Sequence, residues 1–166
     1  MTEFLSLKEI EARLNQPQHV LIHLCEKEVV VPEVETSGRG RWRQFSPKNL
    51  LEFAVALELR KYEIPIAVIR VMTRILSSFE KAMRRAVPSF ELPGALVDCG
   101  PEVELYLYGG QYAAFVLGKK SIVGFDIEKI LKGDAKQTKV EKLKSLPSQY
   151  GSYLWLSLSA IARRVA

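Results

Sequence analysis

The stretch Glu35-Thr36-Ser37-Gly38-Arg39-Gly40-Arg41-Trp42-Arg43-Gln44-Phe45 decides how the first half of this chain is read. Three arginines alternate with glycine or tryptophan. In extended backbone successive side chains point to opposite sides, so Arg39, Arg41 and Arg43 fall on one side. Two extended runs around a glycine tip make a hairpin carrying a row of cations. Set among helices, such a hairpin is a wing. The bland reading of the same residues is a solvated hairpin without a partner.

The residues before the wing predict two short helices. Ser6-Leu7-Lys8-Glu9 fits a capping box, in which the Ser6 hydroxyl and the Glu9 carboxylate each take a free backbone N–H. Leu7, Ile10 and Leu14 follow on one face, and Asn15-Gln16-Pro17 ends the helix. A second helix is expected over 18–27, with Leu21, Leu24 and Cys25 inward and Gln18, His19, His23 and Lys27 outward. Short helices joined by a tight turn form a helix-turn-helix. Val29-Val30-Val31-Pro32 reads as a brief extended segment. After the wing, Ser46 caps a third helix and Pro47 occupies its first turn, where a missing N–H costs nothing. Leu50, Phe53, Ala54 and Leu57 give that helix a buried face. Ile64-Pro65 open a fourth helix running to about Ala86.

This order resembles the MerR family of transcription regulators over about residues 5–76. Three stretches carry the resemblance: Leu21-Ile22-His23-Leu24-Cys25-Glu26-Lys27 with Val31-Pro32, Gly40-Arg41-Trp42-Arg43-Gln44-Phe45-Ser46, and Leu59-Arg60-Lys61-Tyr62-Glu63-Ile64-Pro65. Where the family's second helix has an arginine, two aromatics and a glutamate, this chain has His23, Leu24, Cys25 and Glu26. The family's wing pattern of aromatic, two basic residues and aromatic reads Trp42, Arg43, Gln44 and Phe45. The glycine between the third and fourth helices is Glu63.

The resemblance implies double-stranded DNA, at an operator or promoter, as the partner. The second helix would enter the major groove and the wing would lie along the backbone. Phosphates are met by Lys, Arg or backbone N–H groups. On this resemblance Arg39, Arg41, Arg43 and Lys61 meet phosphate. Gln18, His19, His23 and Lys27 have donors and acceptors suited to base edges or phosphate. Trp42 is either a packing residue at the wing base or a wedge against DNA. A homodimer and contact with RNA polymerase are further implications. The chaperone-modulator proteins, which also resemble this fold and lack the second-helix arginine, bind a co-chaperone instead of DNA. A protein-binding module is therefore the second reading, and the arginine-rich wing argues against it.

In the fourth helix Ile69, Met72, Leu76, Phe79 and Met83 recur at spacings of three and four. That is an a/d seam of about two and a half heptads. It is expected to dimerise, the other reading being that it packs on its own C-terminal domain.

Beyond Pro88 the pattern changes to strands. Val103, Leu105 and Leu107 alternate with Glu104, Tyr106 and Tyr108, Gly109-Gly110 is a two-residue hairpin turn, and Gln111–Leu117 returns. Gly118-Lys119-Lys120 turns again, 122–127 makes a third strand, a short helix covers 127–132, and 153–158 a fourth strand with Ser159 capping a last turn. Lys129, Lys132, Lys136, Lys139, Lys142 and Lys144 mark a solvated loop or surface helix capable of weak phosphate contact. The sheet's second face, with Tyr106, Tyr108, Tyr153 and Trp155, could take a small-molecule effector, take a protein, or extend a dimer interface.

The fold class expected is α+β: a winged helix-turn-helix over 1–64, a long helix over 65–87 and a small antiparallel β-rich domain over 88–166. The 166 residues suffice for a core of their own. With 48% apolar and 26% charged residues the chain is neither disordered nor fibrous. A net charge of +5 suits a nucleic-acid partner without requiring one. Apolar runs are too short to span a bilayer, no secretory signal opens the sequence, and a cytoplasmic setting is expected. Cys25 and Cys99 could form one bridge, but reduced thiols fit that setting better. No metalloprotease, P-loop, nucleophile-elbow or dinucleotide motif is present, so no catalytic residue, metal or cofactor is expected. Cys25, Cys99 and His23 lack metal-site spacing.

Overall fold

The structure, a computed structural model, describes residues 4–36, 42–98, 100–118, 120–133, 137–138 and 149–166. Two serines start the helices that frame its first half. The Ser6 N–H donates to Glu9 Oε2 at 2.7 Å and the Glu9 N–H to Ser6 Oγ at 3.3 Å, opening α1 (Leu7–Leu14). Such caps contribute about 1 kcal/mol each. Asn15, at φ 50°, ends α1 in the left-handed conformation that asparagine tolerates. After Pro17 comes α2 (Gln18–Glu26), with Leu21 and Leu24 buried and Cys25 half-buried. The expected extended segment at 29–32 forms no strand. Val29 and Val30 are instead buried in a loop, and Thr73 Oγ1 donates to the Val29 carbonyl at 2.7 Å.

The wing is a hairpin of β2 (Val34–Glu35) and β3 (Arg43–Phe45). A short β1 (Leu5–Ser6) adds to its other side, giving an antiparallel sheet in the order β1-β3-β2. Its tip, Ser37–Arg41, lies outside the described residues, as does Cys99. Ser46 caps α3 (Pro47–Arg60) with a reciprocal box: the Asn49 N–H reaches Ser46 Oγ at 3.2 Å and the Ser46 N–H reaches Asn49 Oδ1 at 3.1 Å. α4 (Ile66–Arg84) follows a turn in which Glu63 stands at φ 56°.

The second half holds α5 (Gly94–Val97), β4 (Val103–Tyr108), β5 (Tyr112–Leu117), β6 (Lys120–Asp126), α6 (Ile127–Leu131), β7 (Gln137–Thr138), β8 (Tyr153–Ser157) and α7 (Leu158–Val165). The strands form one antiparallel sheet in the order β7-β6-β5-β4-β8. α5 and β7 carry no clear signature in the sequence. Because Tyr108 pairs with Tyr112, the hairpin loop has Gln111 as a third residue, one more than the expected Gly109-Gly110. Ser157, not Ser159, caps the last helix; Ser159 is buried and its Oγ accepts the Val103 N–H at 2.9 Å. Of the expected lysine-rich stretch, Lys132 pairs with Glu128 at 2.6 Å and Lys129 with Asp126 at 3.8 Å. Lys136, Lys139, Lys142 and Lys144 lie outside the described residues. Among the described residues no helix is long and apolar enough to cross a membrane.

The expected dimer seam is corrected by the packing of α4. Ile69, Met72, Leu76, Phe79 and Met83 are all buried within the single chain. The chain's own C-terminal sheet covers the stripe: Phe79 stacks on Phe115 with centroids 4.4 Å apart, and Phe90 meets its edge at 5.7 Å. One apolar cluster runs from Leu5 to Val165. A polar tie supports it: Glu80, itself buried, accepts Lys48 Nζ at 2.6 Å, the Leu92 N–H at 3.0 Å and Arg84 at 3.1 Å. Burial works to raise the Glu80 pKa, but these donors overcome it and hold the carboxyl below its usual range.

Candidate nucleic-acid interface

The faces of α2 separate cleanly. Leu21 and Leu24 point into the core, while Gln18, His19, His23, Glu26 and Lys27 are exposed. Gln18 is tethered, its Nε2 donating to Glu11 Oε2 at 2.7 Å. A shallow groove of about 490 Å³ runs along His19, Val20, Ile22, His23 and Glu26 and ends at Arg60. Arg60 belongs to the last turn of α3, and the sequence reading missed it as a site residue. Its only signal was the basic pair Arg60-Lys61 at the end of a helix. The surface therefore offers imidazole donors and acceptors, a carboxylate and a guanidinium beside a helix narrow enough for a major groove.

The wing comes close to α2, where the Arg43 and Glu35 charges act on Cys25. The Trp42 N–H donates to Thr36 Oγ1 at 2.9 Å, and the Thr36 N–H donates to the Trp42 carbonyl at 3.1 Å, so the hairpin is closed just below its tip. Arg43 Nε meets Glu35 Oε1 at 2.9 Å across the hairpin, which holds the guanidinium and leaves it mostly covered. Arg39 and Arg41 lie outside the described residues. Of the two readings of Trp42, packing at the wing base is the weaker in the structure: the residue is 54% exposed. Phe45 fills that base, meeting the edge of Phe53 at 5.4 Å. Just after α3, Lys61 is exposed and pairs with Glu58 at 2.9 Å, a carboxylate shared with Arg164. Tyr62 beside it is 57% exposed.

The comparison with known families joins these parts. Residues 5–74 match the model for MerR HTH family regulatory proteins. Residues 5–74 are a MerR-type helix-turn-helix domain. No curated protein matches the chain. The match ends inside α4, so the sheet and its helices lie beyond it.

Three details of the MerR-type domain here have physical causes. Cys25 sits against the core, and burial pushes its thiol up to about 11, with the nearby Arg43 charge opposing the rise. It stays a neutral thiol and a poor metal ligand. Among the described residues no three His, Cys, Asp or Glu side chains converge as a metal site. Glu52 lines a recess of about 310 Å³ between the 28–33 loop, α3 and α4. Burial raises its pKa to about 7, although the Asn49 amide donates to it at 2.8 Å. Glu63 holds a left-handed conformation that an L side chain adopts at a cost of about 1–2 kcal/mol.

Proposed function

We propose that this chain is a sequence-specific, duplex-DNA-binding transcription regulator that acts as a homodimer. Its α2 enters the major groove. His19, His23 and Lys27 meet base edges or flanking phosphates, with Gln18 positioned from α1. Arg39, Arg41 and Arg43 on the wing, with Arg60 beside the helix and Lys61 next to it in sequence, neutralise phosphates. The observation that carries this reading is the open outer face of α2, with its polar side chains exposed beside Arg60 while its apolar face is buried. Contact with RNA polymerase is a further expectation for a regulator bound at a promoter.

A second reading, a protein-binding module of the chaperone-modulator type, has its own observation. Trp42 and Tyr62 are large, exposed aromatic side chains on the wing and the α3–α4 turn, and exposed aromatics suit protein interfaces. Selection from random duplexes separates the two. The DNA reading expects enrichment of one motif and an affinity that falls steeply with salt, by about 0.9 log units per phosphate contact per log unit of salt. Failure to shift any duplex at micromolar protein and about 50 mM salt would favour the protein-binding module.

A further inference from the structure

The matched residues end inside α4, yet one cation of the matched domain is held from the far end of the chain. α7 buries Leu158, Ile161, Ala162 and Val165 and lies against α3. Its two arginines are consecutive, so they project about 100° apart around the helix and reach different elements. Arg163 Nη2 donates to Glu102 Oε1 at 2.8 Å, just ahead of β4. Arg164 Nη2 crosses to α3 and donates to Glu58 Oε1 at 2.5 Å. Lys61 Nζ donates to that same oxygen at 2.9 Å. The two nitrogens therefore lie within about 5.4 Å of each other. Burial works to raise the Glu58 pKa, but the hydrogen bonds from Lys61 and Arg164 outweigh it, so the carboxyl stays ionised. One carboxylate against two cations leaves one positive charge over. That charge faces outward, because the Glu58 side chain is 14% exposed while those of Lys61 and Arg164 are 63% and 58% exposed.

Resting on the DNA reading above, we propose that Arg164 is a further DNA-contacting residue, which with Lys61 clamps one phosphate of the duplex backbone. Charge-assisted N–H···O bonds run about 2.7–2.9 Å, so two donors this close together can both reach the oxygens of a single phosphate. Neither cation has to leave Glu58 to do so. Lysine has three N–H donors and arginine five, and the carboxylate takes one from each. Glu58 is the positioning residue: it holds two long side chains at one point before the phosphate arrives. Arg60, the residue before Lys61, borders the groove along His19 and His23, so the clamp belongs to the same end of α3 as that groove. The DNA surface then extends past residues 5–74 onto the last helix. The sheet takes part as well, because Ser159 Oγ accepts the Val103 N–H and Arg163 pairs with Glu102, fixing α7 to the start of β4 while Arg164 reaches α3.

The experiment is equilibrium binding of the full chain to a selected duplex and to a scrambled one over a range of salt, with folding followed by circular dichroism and urea unfolding. Lys61→Gln and Arg164→Gln should each weaken both duplexes alike, by severalfold. Together they should flatten the salt slope by about 0.9, the share of one phosphate, and not by about twice that. Arg164→Lys should keep the slope, since a cation remains, and Arg163→Gln should leave binding unchanged. Unaltered affinity and slope in Arg164→Gln would overturn the clamp. So would a loss of stability from Arg164→Gln without a loss of binding, which is what a mere tether of α7 to α3 gives. A doubled loss of slope in the paired variant would mean two separate phosphates, and an equal loss in Arg163→Gln would mean general charge; either overturns the clamp. An unaltered protein that binds neither duplex sinks the DNA reading itself, whereas duplex binding that ignores Arg164 sinks only the clamp.

Discussion

α2 and α4 both read from the sequence as interaction surfaces, and the structure treats them oppositely. The apolar stripe of α4 is taken up inside the chain, against Phe115 and Phe90. The polar face of α2 is left outside, with His19 and His23 open beside Arg60. Apolar periodicity announces that a face will be covered, but not by what. A polar face on a short helix whose other side is buried has nothing inside the chain to meet. The difference teaches that the second kind of surface is the safer guide to function here.

The sharpest way to break this contrast is a substitution in the α4 stripe. Phe79→Ala should lower folding stability by about 3–5 kcal/mol, read from the denaturant midpoint, because it opens a cavity between Phe115 and Phe90. Leu76→Glu should prevent folding outright, as an unpaired carboxylate would sit in the core. Folded, helical monomers from Leu76→Glu would instead revive the seam as a surface between copies.

The recess between the 28–33 loop and α4 gives the next largest effect. Glu52 has a folded pKa near 7, above its unfolded value of about 4.5. The native state then binds the extra proton between these values, so this group's contribution to stability falls as pH rises from about 4.5 through 7. Glu52→Gln keeps an acceptor for Asn49 and removes the charge. It should stabilise the protein by about 1–3 kcal/mol at pH 8 and hardly at all at pH 4, measured by urea unfolding at both. Equal effects at the two values would place Glu52 in solvent.

Smaller still is the turn between α3 and α4. Glu63→Gly should stabilise by up to about 1 kcal/mol, the relief of a left-handed side chain less the added freedom of the unfolded glycine. Thermal unfolding of the paired variants reads it directly, and a loss of stability would deny the strain. On the open side, His19→Ala should stay within about 0.5 kcal/mol of the unaltered protein, since it removes no packed contact. A large loss there would mean that α2's outer face is also structural.

These differences follow what a sequence can encode locally. The Ser6–Glu9 box, the Ser46-Pro47 start and the alternation of Val103, Leu105 and Leu107 were legible because each depends on residues within one turn or one strand. The fate of Ile69, Met72, Leu76, Phe79 and Met83 was not, because it depends on a sheet that begins some twenty residues after the helix ends. The two readings of Trp42 could not be separated for a related reason. An aromatic at a hairpin base fits a packing role, but Phe45 already fills that place against Phe53. Arg60 was overlooked because only the fold brings the end of α3 to the groove along α2. The outer face of α2 was legible in full, since helical spacing alone separates Leu21 and Leu24 from His19 and His23.

The central claim is that α2 reads sequence while the wing holds phosphate. Its most direct test is equilibrium binding to a selected duplex and to a scrambled one over a range of salt. His19→Ala should reduce the preference for the selected duplex and leave the salt slope unchanged. Arg41→Ala with Arg43→Ala should weaken both duplexes alike and flatten the slope by about 0.9 per lost contact. Binding in which the wing substitutions change preference and His19→Ala changes only the slope would contradict this division, and no binding at about 50 mM salt would contradict DNA recognition itself.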